Sequence, residues 1–91
     1  MEEKIRIILA ITEQVIRHNT RHPEKFITLH TYAYEGASKL SVNAVGDAQG
    51  ERVFELYRLL EIKEDPVIDF KKAYQEVMTF IEKVEGVKHN V

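Results

Sequence analysis

Ninety-one residues suffice for one domain with one modest core, which at this size buries roughly 60% of the surface an unfolded chain exposes. A composition 44% apolar and 31% charged points to a folded chain, and a net charge of −2 lacks the basic surplus of an electrostatic nucleic-acid binder. The absence of cysteine excludes disulfides, thiolate metal sites and a cysteine nucleophile, and it favours a reducing compartment, so the cytoplasm is the expected location.

Met1-Glu2-Glu3-Lys4 opens the sequence without the basic, apolar and small-residue regions of a signal peptide, and no apolar run is long enough to span a bilayer. Residues 1–22 are predicted to be helical. Ile5, Ile8, Leu9, Val15 and Ile16 follow a 3.6-residue period, and Glu2 with Arg6 and Glu13 with Arg17 are spaced for i,i+4 pairing. Arg17, His18, Arg21 and His22 crowd the last turns, where positive charge suits the helix dipole, and Pro23 stops the helix. Ile7 and Ile11 fall off the main stripe and widen the apolar surface, either as the edge of a broad core stripe or as an oligomer contact.

Residues 26–58 are predicted to form a three-stranded antiparallel meander. Phe26–Tyr34 is rich in β-branched and aromatic residues, and Lys39–Val45 alternates with Leu40, Val42 and Ala44 on one face. Glu35-Gly36-Ala37-Ser38 and Gly46-Asp47-Ala48-Gln49-Gly50 read as the turns, so a third strand covers residues 51–58. A helical period also fits Phe26, Leu29, Ala33, Ala37 and Leu40, and again Val53, Leu56, Tyr57 and Leu60. This leaves an α-β-β-α-α order or an all-α bundle as alternatives, with Leu59–Ile62 ambiguous.

Residues 65–85 form a second helix, with Asp65 as N-cap, Pro66 in the first turn, and Val67, Phe70, Tyr74, Val77, Ile81 and Val84 on one face. Gly86 is its C-cap and residues 87–91 a tail. The expected fold is therefore α+β, α-β-β-β-α, one domain with both helices on one face of the sheet. This element order resembles, in topology alone, that of double-stranded RNA-binding domains. Lys71-Lys72-Ala73 lies inside the last helix, but Lys63-Glu64-Asp65-Pro66 replaces the glycine-bearing basic loop that precedes it in those domains. Carboxylates there repel phosphate, and the chain is not assigned to that family.

Strand alternation turns Ile27, Leu29, Ala33, Leu40, Val42, Ala44, Phe54 and Leu56 toward the helices. The opposite face receives Phe26, Thr28, His30, Tyr32, Tyr34, Lys39, Ser41, Asn43, Val53, Glu55 and Tyr57. Tyrosine offers contact area at low entropy cost, so Phe26, His30, Tyr32, Tyr34, Asn43 and Tyr57 are the candidate interaction face. The plainer reading is that cross-strand aromatic pairs stabilise a solvated sheet.

Chemistry-bearing motifs are sparse. His18 and His22 share a helix face at metal-binding spacing, but no third ligand is evident and arginines flank them. Arg17, Arg21 and Lys25 are candidate phosphate contacts, set at the helix end whose dipole opposes anions. There is no G-x-S-x-G motif or phosphate-cradling glycine loop, and the carboxylates are scattered. No cofactor or metal is expected. The sequence reads first as a non-catalytic protein-interaction or regulatory module that binds itself or another protein as a homo-oligomer, with no membrane partner. Second comes a single-stranded nucleic-acid binder stacking bases on Tyr32, Tyr34 and Tyr57, and last a small enzyme or ligand binder using His30.

Overall fold

The computed structural model describes residues 2–34, 39–48 and 51–86. The element order is α1 (Glu2–Arg21), a turn of 3-10 helix (Pro23–Lys25), β1 (Ile27–Tyr34), β2 (Lys39–Ala48), β3 (Glu51–Glu61) and α2 (Val67–Glu85). The strands form an antiparallel sheet in the order β1-β2-β3, and the fold is the expected α-β-β-β-α. The helical alternatives for the middle of the chain give way to strands, as its β-branched and aromatic content favours. The Glu35–Ser38 turn, Gln49-Gly50 and the tail from residue 87 lie outside the described residues.

The core lies between the sheet and the two helices. Ile11 and Val15 of α1, Ile27 and Ala44 of the sheet, and Val77, Phe80, Ile81 and Val84 of α2 form one buried cluster. Leu60, Phe70 and Ala73 form a second at the other end. Phe54 meets Phe80 edge to face, with ring centroids 6.4 Å apart. Arg58 is also on the helix side, opposite Val42 in the register, and it reaches the carboxylate of Glu76 on α2. Lys4 ties the start of α1 to the sheet by donating from Nζ to the carbonyl of Ile62, and its ammonium lies 5.4 Å from the centre of the Phe70 ring.

The rotation of α1 differs from the expected one. Its buried residues are Ile11, Val15 and His18, with Ile7 and Ile8 packed against the core clusters. Ile5, Leu9 and Ile16, expected in the buried stripe, are 42%, 64% and 59% exposed. Ile11, a candidate oligomer contact, is fully buried, and Ile7 packs beside it. With apolar residues on more than half of its circumference, α1 takes its rotation from polar anchors at its C-terminal end. His18 is one. Asn19 is the other: it accepts from the Ile27 N–H at 2.7 Å and donates Nδ2–H to the Ile27 carbonyl at 2.9 Å.

Three local expectations are also corrected. β3 runs to Glu61 rather than stopping at 58, which resolves Leu59–Glu61 as strand. Asp65 does not cap α2, whose cap position is held by Pro66. Its carboxylate instead accepts the Glu61 N–H at 2.7 Å while its own N–H donates to the Glu61 carbonyl at 2.8 Å, closing the end of β3. Gly46 is no turn residue: it pairs with Ile27 and Phe54 inside the sheet, beside a register shift between Gly46 and Asp47. A Cβ there would lie 2.5 Å from Val84 Cγ2 and 3.4 Å from Phe80 Cζ, so the glycine lets α2 approach the strand. Gly86 caps α2 as expected, in the left-handed region at φ 78°.

Candidate protein-interaction surface

No described element covers the sheet face opposite the helices. The register places its side chains in cross-strand rows. His30, Asn43 and Tyr57 form one row, and Tyr32, Ser41 and Leu59 the next. Thr28, Val45 and Glu55 lie on one side of these, and Lys39 opposite Glu61 on the other, 3.8 Å apart as an ion pair.

The two central rows make a furrow. Tyr32 and Tyr57 stand 56% and 57% exposed, yet Ser41 between Tyr32 and Leu59 is only 8% exposed and Asn43 is half-buried. Tall side chains on β1 and β3 form the walls, and the short polar side chains of β2 form the floor. On the β1 wall the rings of His30 and Tyr32 stack at 5.9 Å and 9°. The walls present half-exposed aromatic and aliphatic area, and the floor carries the hydrogen-bonding groups of Asn43 and Ser41.

Of the six residues expected on this face, the structure brings His30, Tyr32, Asn43 and Tyr57 together. Phe26 precedes β1 and is 43% exposed, with its carbonyl accepting from the Asp47 N–H at 2.9 Å. The Tyr34 side chain lies outside the described part of the chain, as does that of Val53. Leu59 belongs to the face and was missed. Carrying the two-residue period through Glu55, Tyr57 and on past residue 58 would have found it.

The candidate phosphate contacts Arg17, Arg21 and Lys25 lie in the helix layer, across the sheet from the furrow. Arg17 pairs with Glu13 at 3.7 Å on the exposed side of α1. Arg21 joins a clasp around Glu85 on α2, with Nη2 3.3 Å from Oε2. His18, fully buried, contacts the same oxygen through Nδ1 at 2.8 Å and the Lys25 carbonyl through Nε2 at 2.6 Å. Both ring nitrogens face acceptor oxygens. His22 lies over His18, ring centroids 5.3 Å apart, with Nε2 3.6 Å from Glu85. Burial raises the Glu85 carboxyl, but hydrogen bonds from His18 and Arg21 and their charges outweigh it and hold the group below its ordinary range. The histidines and Arg21 thus fasten the ends of the two helices together. Arg17, Arg21 and Lys25 do not converge with the tyrosines.

Among the described residues no group of three His, Asp or Glu side chains is placed to hold a metal ion. A groove of about 330 Å³ between the helices is lined by Glu3, Arg6, Ile7, Ala10, Lys71, Tyr74 and Gln75, and none of the furrow residues reaches it. No described helix is long and apolar enough to cross a membrane. Comparison with known proteins finds no family model that matches the chain, and no curated protein or solved structure that matches it either.

Proposed function

We propose that this chain is a non-catalytic protein-interaction module that binds a partner protein in the furrow of its open sheet face and acts in the cytoplasm. The observation that carries the reading is the pairing of His30 and Tyr32 on one wall with Tyr57 and Leu59 on the other, above a floor of Asn43 and Ser41. A one-sided antiparallel sheet has no packing need for three large, half-exposed apolar groups on its solvent face. Tyrosines grouped at the centre of a patch are the type of side chain that carries binding energy. The separation of this face from Arg17, Arg21 and Lys25 favours a protein over nucleic acid, because a stacking platform needs cations alongside it to follow a phosphate backbone, and Lys39, the cation described on this face, is paired with Glu61.

Site-specific photo-crosslinking in native lysate tests the reading. A photoreactive residue at position 57 or 59 should capture the same protein, and one at Lys72 on the helix layer should not. Tyr32→Ala should reduce the captured amount severalfold while circular dichroism stays unchanged. Equal capture from position 72, or no adduct from 57 and 59, would overturn it.

A further inference from the structure

We infer that β1 pairs with β1 of a second copy, antiparallel about a two-fold axis at Thr31, to make a continuous six-stranded sheet. This goes beyond the proposed function, since it rests on the sheet edge and not on the furrow.

The two edges of the sheet differ. On β3, Asp65 occupies both backbone groups of Glu61, and the Arg58 guanidinium donates to the Tyr57 carbonyl at 3.0 Å. On β1, Asn19 occupies both backbone groups of Ile27, which shows that those groups point away from β2. Antiparallel alternation points the N–H and C=O of Leu29, Thr31 and Ala33 the same way. No described strand lies on that side. An open, unguarded edge is a template for another strand.

That edge is complementary to itself. A two-fold axis at Thr31 sets Leu29 opposite the second copy's Ala33 and Thr31 opposite its own equivalent. All three outward residues then form hydrogen-bonded pairs, and the Asn19 clamp marks where pairing stops. On the furrow face His30 comes opposite the second copy's Tyr32, so the aromatic walls of the two copies join.

The helix layer agrees. α1 crosses the sheet obliquely, from the cavity of about 140 Å³ that Ile5 and Leu9 line with Leu40 and Ile62, to Asn19 at Ile27. It leaves Thr31 and Ala33 exposed on the helix side of β1. Thr31 lies about 13 Å along the strand from Ile27. That matches about nine residues of helix back from Asn19, close to the middle of the exposed row Ile5, Leu9 and Ile16. The same axis therefore sets Ile5 against the second copy's Ile16 and brings that Ile16 toward the uncovered Ala33.

Sedimentation equilibrium and oxidative crosslinking of the purified chain test the inference. The wild-type chain should be a dimer at high micromolar concentration. Thr31→Pro removes an N–H that the monomer does not use, and proline is tolerated at such edge positions, so it should weaken dimerisation at least about tenfold with the circular dichroism spectrum retained. Should that variant fail to fold, Leu9→Glu/Ile16→Glu, at exposed positions, should weaken the dimer instead. Because the chain has no cysteine, Thr31→Cys should give a covalent dimer on oxidation: hydrogen-bonded antiparallel partners have Cα atoms about 5.5 Å apart, within disulfide reach. Leu29→Cys and Ala33→Cys alone should not crosslink, and the double variant should. A monomeric wild type, or equal crosslinking at positions 29, 31 and 33, overturns the inference. Tyr57→Ala, remote from the seam, should leave the dimer intact even where it abolishes capture in the furrow, which separates failure here from failure of the proposed function.

Discussion

His18 Nδ1 and Glu85 Oε2 lie 2.8 Å apart, across 67 positions of sequence, and join the C-terminal end of α1 to that of α2. A carboxylate at a helix C-terminus is opposed by the helix dipole, so Glu85 depends on the groups facing it from the other helix. His18 depends on Glu85 in turn, because its ring is fully buried and cannot turn to water.

His18→Leu should therefore cost about 3 kcal/mol, as it leaves Glu85 less compensated and the Lys25 carbonyl without its donor. Glu85→Leu should cost a similar amount by stranding the imidazole. The double variant His18→Leu/Glu85→Leu should recover much of the loss, since apolar groups of similar volume need no partner. Urea denaturation of the four chains measures the coupling. Strictly additive costs would show that the contact contributes nothing.

The same pair gives the fold an acid limit. Burial pushes the Glu85 carboxyl up, and the hydrogen bonds and charges of His18 and Arg21 bring it below its ordinary value of 4.5. A carboxyl that binds its proton less tightly folded than unfolded stabilises the fold above its unfolded pKa, and that stability is lost as pH falls through the folded one. The urea midpoint of the wild-type chain should thus drop more steeply between about pH 5 and pH 3 than that of Glu85→Gln, whose amide does not titrate in this range. Parallel pH profiles would refute the assignment.

Gly46→Ala should destabilise by about 1–3 kcal/mol, the usual cost of forcing a methyl group into a packed core. The added Cβ would meet Val84 Cγ2 at 2.5 Å, with the Phe80 ring at 3.4 Å beside it. Val84→Ala opens that space, so Gly46→Ala/Val84→Ala should be more stable than the sum of the single losses predicts. Thermal unfolding of the set decides it, and an undiminished penalty in the double variant would locate the strain elsewhere.

How far these features are legible in sequence depends on their range. The element order follows from local signals: the period of two in residues 27–34 and 39–45, the Pro23 stop and the Gly86 cap. The furrow residues follow from alternation once the strands are placed, and Leu59 joins them once the last strand is carried past residue 58. The roles of His18, Asp65 and Gly46 are of another kind. His18 continues the Ile11, Val15 spacing and so carries a faint sign of burial, but its partner Glu85 lies on another element. Asp65 fits a helix cap by position, and only the nearby Glu61 backbone draws it away. Gly46 is a glycine beside Asp47 and reads as a turn until α2 is laid over it.

Asn19 sets both the rotation of α1 and the end of the open β1 edge, so its replacement has two readouts. Asn19→Ala removes an acceptor and a donor from the backbone of Ile27, a residue only 2% exposed, and should cost about 1–3 kcal/mol. Asn19→Asp keeps the acceptor for the Ile27 N–H at 2.7 Å but sets a carboxylate against the Ile27 carbonyl, and should not rescue the loss fully. Native-state amide exchange separates the local effect from the global one. In Asn19→Ala the Ile27 amide should lose protection beyond what the overall loss of stability explains, while the Val42 and Ala44 amides of the central strand follow the global value. Uniform loss across the three strands would mean that Asn19 acts through the packing of α1 and not as a clamp on the sheet edge.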